Sequence, residues 1–197
     1  MMIIGLTGSI AMGKSEASKI LARFGLPIFD ADAQVHKLYD SAEGAKLISS
    51  FVPGAVFDGR VDRAILAQHA LQDQNLLAAL EPAVHAAVRT RREAFIAQQR
   101  ARNVQAVVLD IPLLFETGSE KLVDKILVIS ATADQQRARA LARPGMTEER
   151  LAMILARQMP DEEKRRLADA VIENSGTIAD MEKSLLAVLK EWGLVQA

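Results

Sequence analysis

Short apolar runs alternate along the chain with longer stretches in which apolar residues recur at helical spacing. The first run, residues 2–7, predicts a strand, and the pattern of residues 14–24 predicts a helix that Gly25 ends. Further apolar runs bounded by polar residues predict strands at residues 27–29, 106–109, 125–129 and 170–172. This alternation predicts an α/β fold with a mainly parallel sheet flanked by helices, whose strand carboxyl ends form one ligand-binding edge.

The stretch from residue 33 to residue 104 predicts a helical insertion in the connectivity of this sheet. It has no convincing strand, and its alanine-rich helical patterns cover residues 64–71 and 76–99. The pairs Pro53-Gly54 and Asp58-Gly59 mark turns. The sheet-bearing core is therefore expected to comprise residues 1–32, 105–134 and 167–197.

Residues 135–166 form a second predicted insertion, with eight basic residues against five acidic ones. Guanidinium groups can hold the negative charge of a transferring phosphoryl group, so we expect a helical lid that closes over a nucleotide. A nucleic-acid surface is less favoured, because no aromatic residue lies between Phe115 and Trp192 to stack on bases.

Composition narrows the possible classes of protein. The 197 residues have a formal net charge of −1 and no cysteine, which argues against a strongly basic nucleic-acid binder and excludes disulfides and thiolate zinc sites. His36, His69 and His85 are too scattered in sequence to argue for a histidine metal site. No apolar run approaches the roughly 18 to 20 residues of a membrane span, and no signal sequence is evident, so a soluble cytoplasmic protein is expected.

Residues 8–15 read Gly-Ser-Ile-Ala-Met-Gly-Lys-Ser, which matches the P-loop pattern between a predicted strand and a predicted helix. The glycines let backbone N–H groups turn towards a phosphate, a solvated lysine adds positive charge, and the serine hydroxyl can bind Mg²⁺. The alternative is a glycine-rich turn that only joins strand to helix. The expected ATP-binding residues of this loop are Gly8, Ser9, Ile10, Ala11, Met12, Gly13, Lys14 and Ser15.

A second Mg²⁺ ligand is expected at the end of a strand beside the P-loop strand. Asp110 directly follows the apolar run 106–109 and would bind the metal itself or through water; the alternative is a capping aspartate. The Asn-Lys-x-Asp segment with which GTPases select guanine is absent, so an adenine nucleotide is favoured.

Asp32 is the candidate base for an alcohol that attacks the γ-phosphate. It lies two residues beyond the second predicted strand, which we expect to neighbour the P-loop strand. Two alternatives stay open: Asp32 caps a helix that begins near Ala33, or Asp30 is the base.

These residues resemble the dephospho-coenzyme A kinase family over nearly the whole chain. The most distinctive stretch is Leu-Asp-Ile-Pro-Leu-Leu-Phe-Glu at residues 109–116, together with Asp-Ala-Asp at residues 30–32. Further segments similar to the family's occur at residues 4–8, 58–63, 80–85, 136–143 and 168–174. The resemblance implies a P-loop nucleoside triphosphate hydrolase-like kinase. It would use ATP with Mg²⁺ to phosphorylate the ribose 3′-hydroxyl of dephospho-coenzyme A, the last step of coenzyme A synthesis.

The resemblance also implies roles for individual residues. Asp32, Lys14 and Arg139 would be catalytic, Arg143 and Asn174 would contact the nucleotide, and the helical insertion would hold the acceptor. The acceptor-binding residues implied are Thr7, Asp32, Arg63, His85, Pro112 and Leu113.

The chain departs from the family pattern at four positions. Ser9 and Ala11 stand where glycines are usual, which is expected to change loop flexibility. Ala86 stands where the family has a proline after its substrate-domain histidine, so a structural role for His85 stays open. Pro144 replaces an aspartate and is expected to stiffen the lid turn.

Two other classes of function remain possible from the sequence. One is another small-metabolite P-loop kinase, of the nucleoside monophosphate or shikimate type; the other is a non-enzymatic nucleotide-dependent switch. The expected partners are small-molecule substrates, with no nucleic acid, membrane or obligate protein partner.

Overall fold

The computed structural model describes residues 1–195 of the chain. Its strands are β1 (Met2–Thr7), β2 (Ile28–Asp30), β3 (Val56–Phe57), β4 (Arg60–Val61), β5 (Ala106–Asp110), β6 (Lys125–Ser130) and β7 (Ala170–Glu173). Its helices are α1 (Lys14–Arg23), α2 (Ala31–Tyr39), α3 (Ala42–Ser49), α4 (Arg63–Gln72), α5 (Gln74–Ala101), α6 (Ala133–Leu141), α7 (Glu148–Leu155), α8 (Asp161–Leu167) and α9 (Ile178–Glu191). Two compact units result: the core unit, Met1–Phe29 with the described residues from Gln99 onward, and the inserted unit, Asp30–Gln98.

Five strands form one sheet, in the order β2-β5-β1-β6-β7. Strand β1 pairs in parallel with β5, where Met2 lies opposite Ala106, and with β6, where Ile4 lies opposite Lys125. Strand β6 pairs in parallel with β7. The α/β fold with a parallel sheet is thus confirmed, and the apolar runs mark the strands because both faces of the central strands are covered.

One expectation about strand order is wrong. Strand β2 does not neighbour the P-loop strand β1, because β5 lies between them. Strand β5 instead neighbours β1 directly, so the strand that ends in Asp110 is the one beside the P-loop strand. Strand order depends on long-range pairing, which apolar runs do not encode.

The core unit is built around the sheet and helices α1 and α9. Ile4 and Leu6 of β1, Ile20 of α1 and Leu185 of α9 belong to its fully buried apolar cluster. Helix α9 begins with a capping box in which Thr177 and Asp180 satisfy each other's backbone N–H groups. This packing holds the first turn of α1, and with it the loop before α1, on a rigid support.

The inserted unit contains α2 to α5 around its own apolar cluster, which includes Leu38, Ile48 and Val84. It also contains the short antiparallel hairpin of β3 and β4, which corrects the expectation of an insertion without strands. Two-residue strands are too short to show a period. The turn between them was predicted correctly: Asp58 and Gly59 adopt left-handed φ values of 48° and 73°, as a tight hairpin requires.

Within residues 1–195, every helix is too short or too polar to cross a bilayer.

Candidate active site

The P-loop connects β1 to α1 in a conformation that requires glycine at both ends. Gly13 has a φ of 100°, and a Cβ there would lie 2.0 Å from the side-chain nitrogen of Asn174. A Cβ on Gly8 would lie 2.5 Å from the carbonyl oxygen of Ile129. The two glycines are thus explained by close approach at both positions and by a left-handed backbone at the second.

Four N–H groups of this loop are available to an anion. The N–H groups of Ala11, Gly13, Lys14 and Ser15 make no hydrogen bond to any part of the chain that the structure describes, and no side chain caps α1. Unpaired N–H groups at the start of a helix attract negative charge, because they add to the positive end of the helix dipole. The loop is therefore a preformed anion-binding site.

The Lys14 side chain is not solvated as the sequence suggested. Its ammonium group forms an ion pair with the carboxylate of Asp110 at the end of β5. The two side chains are only 16% and 3% exposed. The structure thus brings the loop lysine and the strand-end carboxylate together, as their motifs predicted, and pairs them directly.

The oxygen donors at this edge suit Mg²⁺. No group of three or more histidine or acidic side chains that could hold a metal ion occurs within residues 1–195. The Ser15 hydroxyl is exposed, and the Asp110 carboxylate ends the neighbouring strand. Magnesium commonly takes one or two protein oxygens and completes its shell with phosphates and water, so this sparse donor set fits that ion.

Asn174 and Arg139 lie beside the P-loop. The Asn174 amide donates to the carbonyl oxygen of Met12 at 2.9 Å, so it supports the loop from behind. Arg139 donates through one guanidinium nitrogen to the Asn174 carbonyl at 2.9 Å. Its other terminal nitrogen is buried without a hydrogen-bond partner among the described residues. Arg143 is exposed, two residues beyond the end of α6.

Three predicted acceptor residues surround the carboxyl ends of β1 and β5. The Thr7 side chain is fully buried, and its hydroxyl donates to the Pro112 carbonyl at 3.0 Å. Leu113 is 40% exposed beside it. The Thr7 hydroxyl proton is therefore engaged inside the fold, where it ties β1 to the segment after β5.

The structure separates the two aspartates of the Asp-Ala-Asp segment. Helix α2 begins at Ala31, and Asp30 is its N-cap, accepting the N–H of Ala33 at 2.9 Å. The alternative in which Asp32 caps this helix is therefore wrong, because strand β2 runs straight into a helix that starts earlier than expected. Asp32 is exposed in the first turn and makes no hydrogen bond or ion pair with the rest of residues 1–195.

Arg63 is held by partners that the sequence did not indicate. It donates to both carboxylate oxygens of Asp40, each at 3.1 Å, and contacts the ring nitrogen of His36 at 2.5 Å. Burial raises the pKa of the neighbouring Tyr39, and the charge of Arg63 partly opposes that rise. His85, in contrast, is exposed on α5. Arg63 lies 23 residues from Asp40 and 27 residues from His36 in the sequence. Such separations follow no helical or strand period, so sequence reasoning missed these two contacts.

A buried ion pair stabilises the segment after β5. Lys164 of α8 is fully buried, and its ammonium nitrogen lies 2.8 Å from an oxygen of Glu116. The same oxygen accepts the N–H of Met159 at 2.8 Å. Burial raises the pKa of Glu116, but the Lys164 ammonium and the backbone N–H groups outweigh it, so the pKa lies below its usual value. The last residue of the segment at 109–116 is thus a structural anchor, a role its sequence did not reveal.

Known proteins resemble this chain over nearly its full length. A family model described as dephospho-CoA kinase matches residues 2–180. The dephospho-CoA kinase of Mesorhizobium japonicum is 49% identical over 191 residues, which cover 97% of this chain and 96% of that relative. A crystal structure from Thermus thermophilus is 37% identical, with a TM-score of 0.79 over 96% of this chain and 97% of that one. The dephospho-CoA kinase of Campylobacter jejuni is 27% identical, with a TM-score of 0.73 over 96% of each chain.

Proposed function

The chain belongs to the dephospho-CoA kinase family, and from that premise we propose that it transfers the γ-phosphoryl group of ATP to the ribose 3′-hydroxyl of dephospho-CoA. The products are CoA and ADP. The observation that carries this proposal is the preformed P-loop, in which unpaired N–H groups, Lys14 and Asp110 converge at one sheet edge. Family membership supplies the identity of the acceptor.

The nucleotide side of the reaction rests on the P-loop. The free N–H groups of Ala11, Gly13, Lys14 and Ser15 receive the phosphate oxygens. The Lys14 ammonium exchanges Asp110 for a phosphate oxygen, because a polyphosphate carries more negative charge than one carboxylate. Magnesium would be held by the Ser15 hydroxyl and the Asp110 carboxylate, where it would neutralise phosphate charge.

Asp32 is the proposed base. As the 3′-hydroxyl oxygen forms a bond to the γ-phosphorus, its proton passes to the Asp32 carboxylate and the bond from phosphorus to the β–γ bridging oxygen breaks. ADP leaves with that oxygen. The exposed, unpaired state of Asp32 supports this role, since the carboxylate is not committed to the fold. Arg139 and Arg143 of the lid stabilise the charge of the transferring group.

The acceptor-binding residues that family membership suggests are Arg63 and His85 in the inserted unit and Thr7, Pro112 and Leu113 in the core unit. One terminal nitrogen of Arg63 already donates to both carboxylate oxygens of Asp40, and guanidinium N–H groups donate to phosphate oxygens in the same way. Thr7 acts by fixing the Pro112 carbonyl rather than by donating to substrate. ATP and dephospho-CoA are the proposed partners, and the cytoplasm the proposed location.

Product analysis tests the proposal. ADP formation is measured with dephospho-CoA, with shikimate, with nucleoside monophosphates and with no acceptor, and products are identified by mass spectrometry. ADP should form in equal amount with CoA and only when dephospho-CoA is present. ADP production with another acceptor would identify a different small-metabolite kinase. Nucleotide binding without transfer to any acceptor would indicate a switch.

A further inference from the structure

Both backbone polar groups of Ile10, the third residue of the P-loop, form hydrogen bonds with glutamine side chains. The side-chain nitrogen of Gln136 donates to the Ile10 carbonyl at 2.9 Å. The Ile10 N–H donates to the side-chain oxygen of Gln158 at 3.1 Å. Gln136 is buried in α6, and Gln158 follows α7, so the two glutamines belong to opposite ends of the predicted lid segment, residues 135–166.

Apolar contacts join the same partners. Ala11, Ala140 and Leu151 form a small buried cluster, against which Ile10 and Leu155 pack. The third and fourth residues of the P-loop therefore dock on helices α6 and α7. This docking explains why alanine stands where the family prefers glycine: the methyl group of Ala11 contributes to the cluster, although its φ of 62° costs a residue with a Cβ about 1 kcal/mol.

The backbone that carries the Gln158 side chain is itself held in place. The N–H of the next residue, Met159, donates to Glu116 at 2.8 Å, and Glu116 is paired with the buried Lys164. The Gln158 N–H donates to the Leu155 carbonyl at 3.0 Å. The side chain that receives the Ile10 N–H thus extends from a backbone anchored to the core unit.

We propose that Gln136 and Gln158 are positioning residues that hold the P-loop in its phosphate-binding shape and couple that shape to the docked lid helices. They occupy both backbone polar groups of Ile10, directly before the N–H groups of Ala11, Gly13, Lys14 and Ser15, which have no partner among the described residues. The inference rests on the proposed function only for the ligand, an adenine nucleotide. It concerns nucleotide binding and not the acceptor.

The two glutamines use opposite atoms, and this asymmetry makes the test sharp. A glutamate can accept a hydrogen bond but cannot donate one when ionised. Gln158→Glu therefore keeps its bond to the Ile10 N–H, whereas Gln136→Glu loses its bond and places a carboxylate against a carbonyl. Methionine at either position removes the bond with little change in size. Gln98→Met, on the exposed surface of α5, is the matched control.

Amide exchange and ADP binding are measured on each folded variant. Without nucleotide, Ile10 N–H exchange should rise about tenfold in Gln158→Met and stay near wild type in Gln158→Glu, the scale of one lost hydrogen bond. The ADP dissociation constant by calorimetry should rise about tenfold in both methionine variants and not in Gln98→Met. Unchanged Ile10 exchange in Gln158→Met, or unchanged ADP affinity in both methionine variants, would overturn the proposal.

A second comparison keeps the test decisive if a methionine variant does not fold. Thermal unfolding of the two glutamate variants should show Gln136→Glu less stable than Gln158→Glu, because only the former sets like partial charges against each other. Equal stability and equal Ile10 exchange in the two would contradict the inference. ADP binding by a wild-type protein that fails to phosphorylate dephospho-CoA would instead overturn the proposed function and leave the glutamine inference standing.

Discussion

Two buried ion pairs of the core unit contrast with the Arg63–Asp40 pair of the inserted unit, which faces solvent. In the core unit, Lys14 pairs with Asp110 and Lys164 pairs with Glu116, and none of the four side chains is more than 16% exposed. Charges that are removed from water interact strongly, and a missing partner leaves the other charge unfavourably buried. The nucleotide side of the protein is therefore organised before any ligand arrives.

In the inserted unit, the charged groups of Arg63, Asp40 and Asp32 face solvent. Arg63 and Asp40 are 44% and 55% exposed, and Asp32 is exposed with no ion-pair partner within residues 1–195. Water screens such groups, so a partner can be exchanged at little cost. The contrast teaches that one chain can hold some ion pairs as buried, fixed contacts and others as solvated, exchangeable ones by varying the burial of charge.

The comparison is tested most severely at Lys14. Lys14→Ala should lower kcat by about 10³-fold, the scale of a lost electrostatic contact at a transferring phosphate. It should also lower the free energy of unfolding by about 2 kcal/mol, because it removes the cation beside a buried carboxylate. Steady-state kinetics and urea unfolding measure the two effects.

Lys19→Ala is the matched control on the same helix, since that side chain is 70% exposed. It should change neither quantity appreciably. A Lys14→Ala protein with normal turnover would remove the P-loop as the catalytic centre, and one with unchanged stability would show that the Lys14–Asp110 pair is not an organising contact.

The second prediction concerns the buried pair behind the site. Glu116→Gln should lower the free energy of unfolding at pH 7 by about 3 kcal/mol, because it leaves the Lys164 charge buried and uncompensated. Adding Lys164→Met should restore most of that loss, since an apolar pair of similar volume needs no desolvated charge. Urea unfolding measures the stability of the two variants. If the pair contributed as little as an exposed ion pair, neither the single nor the double substitution would change the free energy of unfolding appreciably.

The stabilising effect of the Glu116–Lys164 pair should depend on pH. The pKa of Glu116 is lower in the folded protein than its usual value, because the Lys164 ammonium and backbone N–H groups outweigh the effect of burial. Its stabilising contribution is therefore complete above the unfolded pKa and is lost as the pH falls through the folded pKa. The difference between wild type and Glu116→Gln should shrink below about pH 4. A difference that is constant from pH 7 to pH 3 would refute this linkage.

On the acceptor side, Asp32→Asn should lower kcat by about a hundredfold, the usual scale of a lost general base, with little change in the KM for ATP. Stability should hardly change, because the side chain has no partner to lose within residues 1–195. Asp30→Asn is the control: asparagine also caps helices, so turnover should stay within about threefold of wild type. The reverse ranking of the two variants would move the base to Asp30.

The smallest effect is expected at the exposed pair. Asp40→Asn should change the free energy of unfolding by less than about 1 kcal/mol, because exposed ion pairs contribute little. Arg63→Ala should raise the KM for dephospho-CoA about fivefold while leaving the KM for ATP unchanged, the scale of one exposed charged contact. Thermal unfolding measures the stability change, and substrate titrations measure the two KM values. If Asp40→Asn destabilised the protein as much as Glu116→Gln, the contrast between the exposed and the buried ion pairs would be wrong.

Particular elements show how far sequence reasoning reached. The apolar run before Asp110 predicted both strand β5 and a carboxylate at its end, and β5 does neighbour β1. The start of α2 was misplaced, because Asp30 and Asp32 are both good capping residues and the sequence does not show which of them caps the helix. The β3–β4 hairpin was missed except for its Asp-Gly turn. Sequence patterns predicted an element correctly where the same chemical pattern recurs over several residues, as in the apolar run of β5.

The sequence by itself determined the parallel sheet, the P-loop and the acidic and basic residues around it, because apolar periodicity and an eight-residue motif are local properties. Only the tertiary structure decided which groups meet. Lys164 reaches Glu116 across 48 positions of the chain, and Gln158 reaches Ile10 across 148. A lone glutamine or a lysine in a charged run looks like surface in sequence; it becomes structural only when packing removes water and leaves one partner within hydrogen-bond distance.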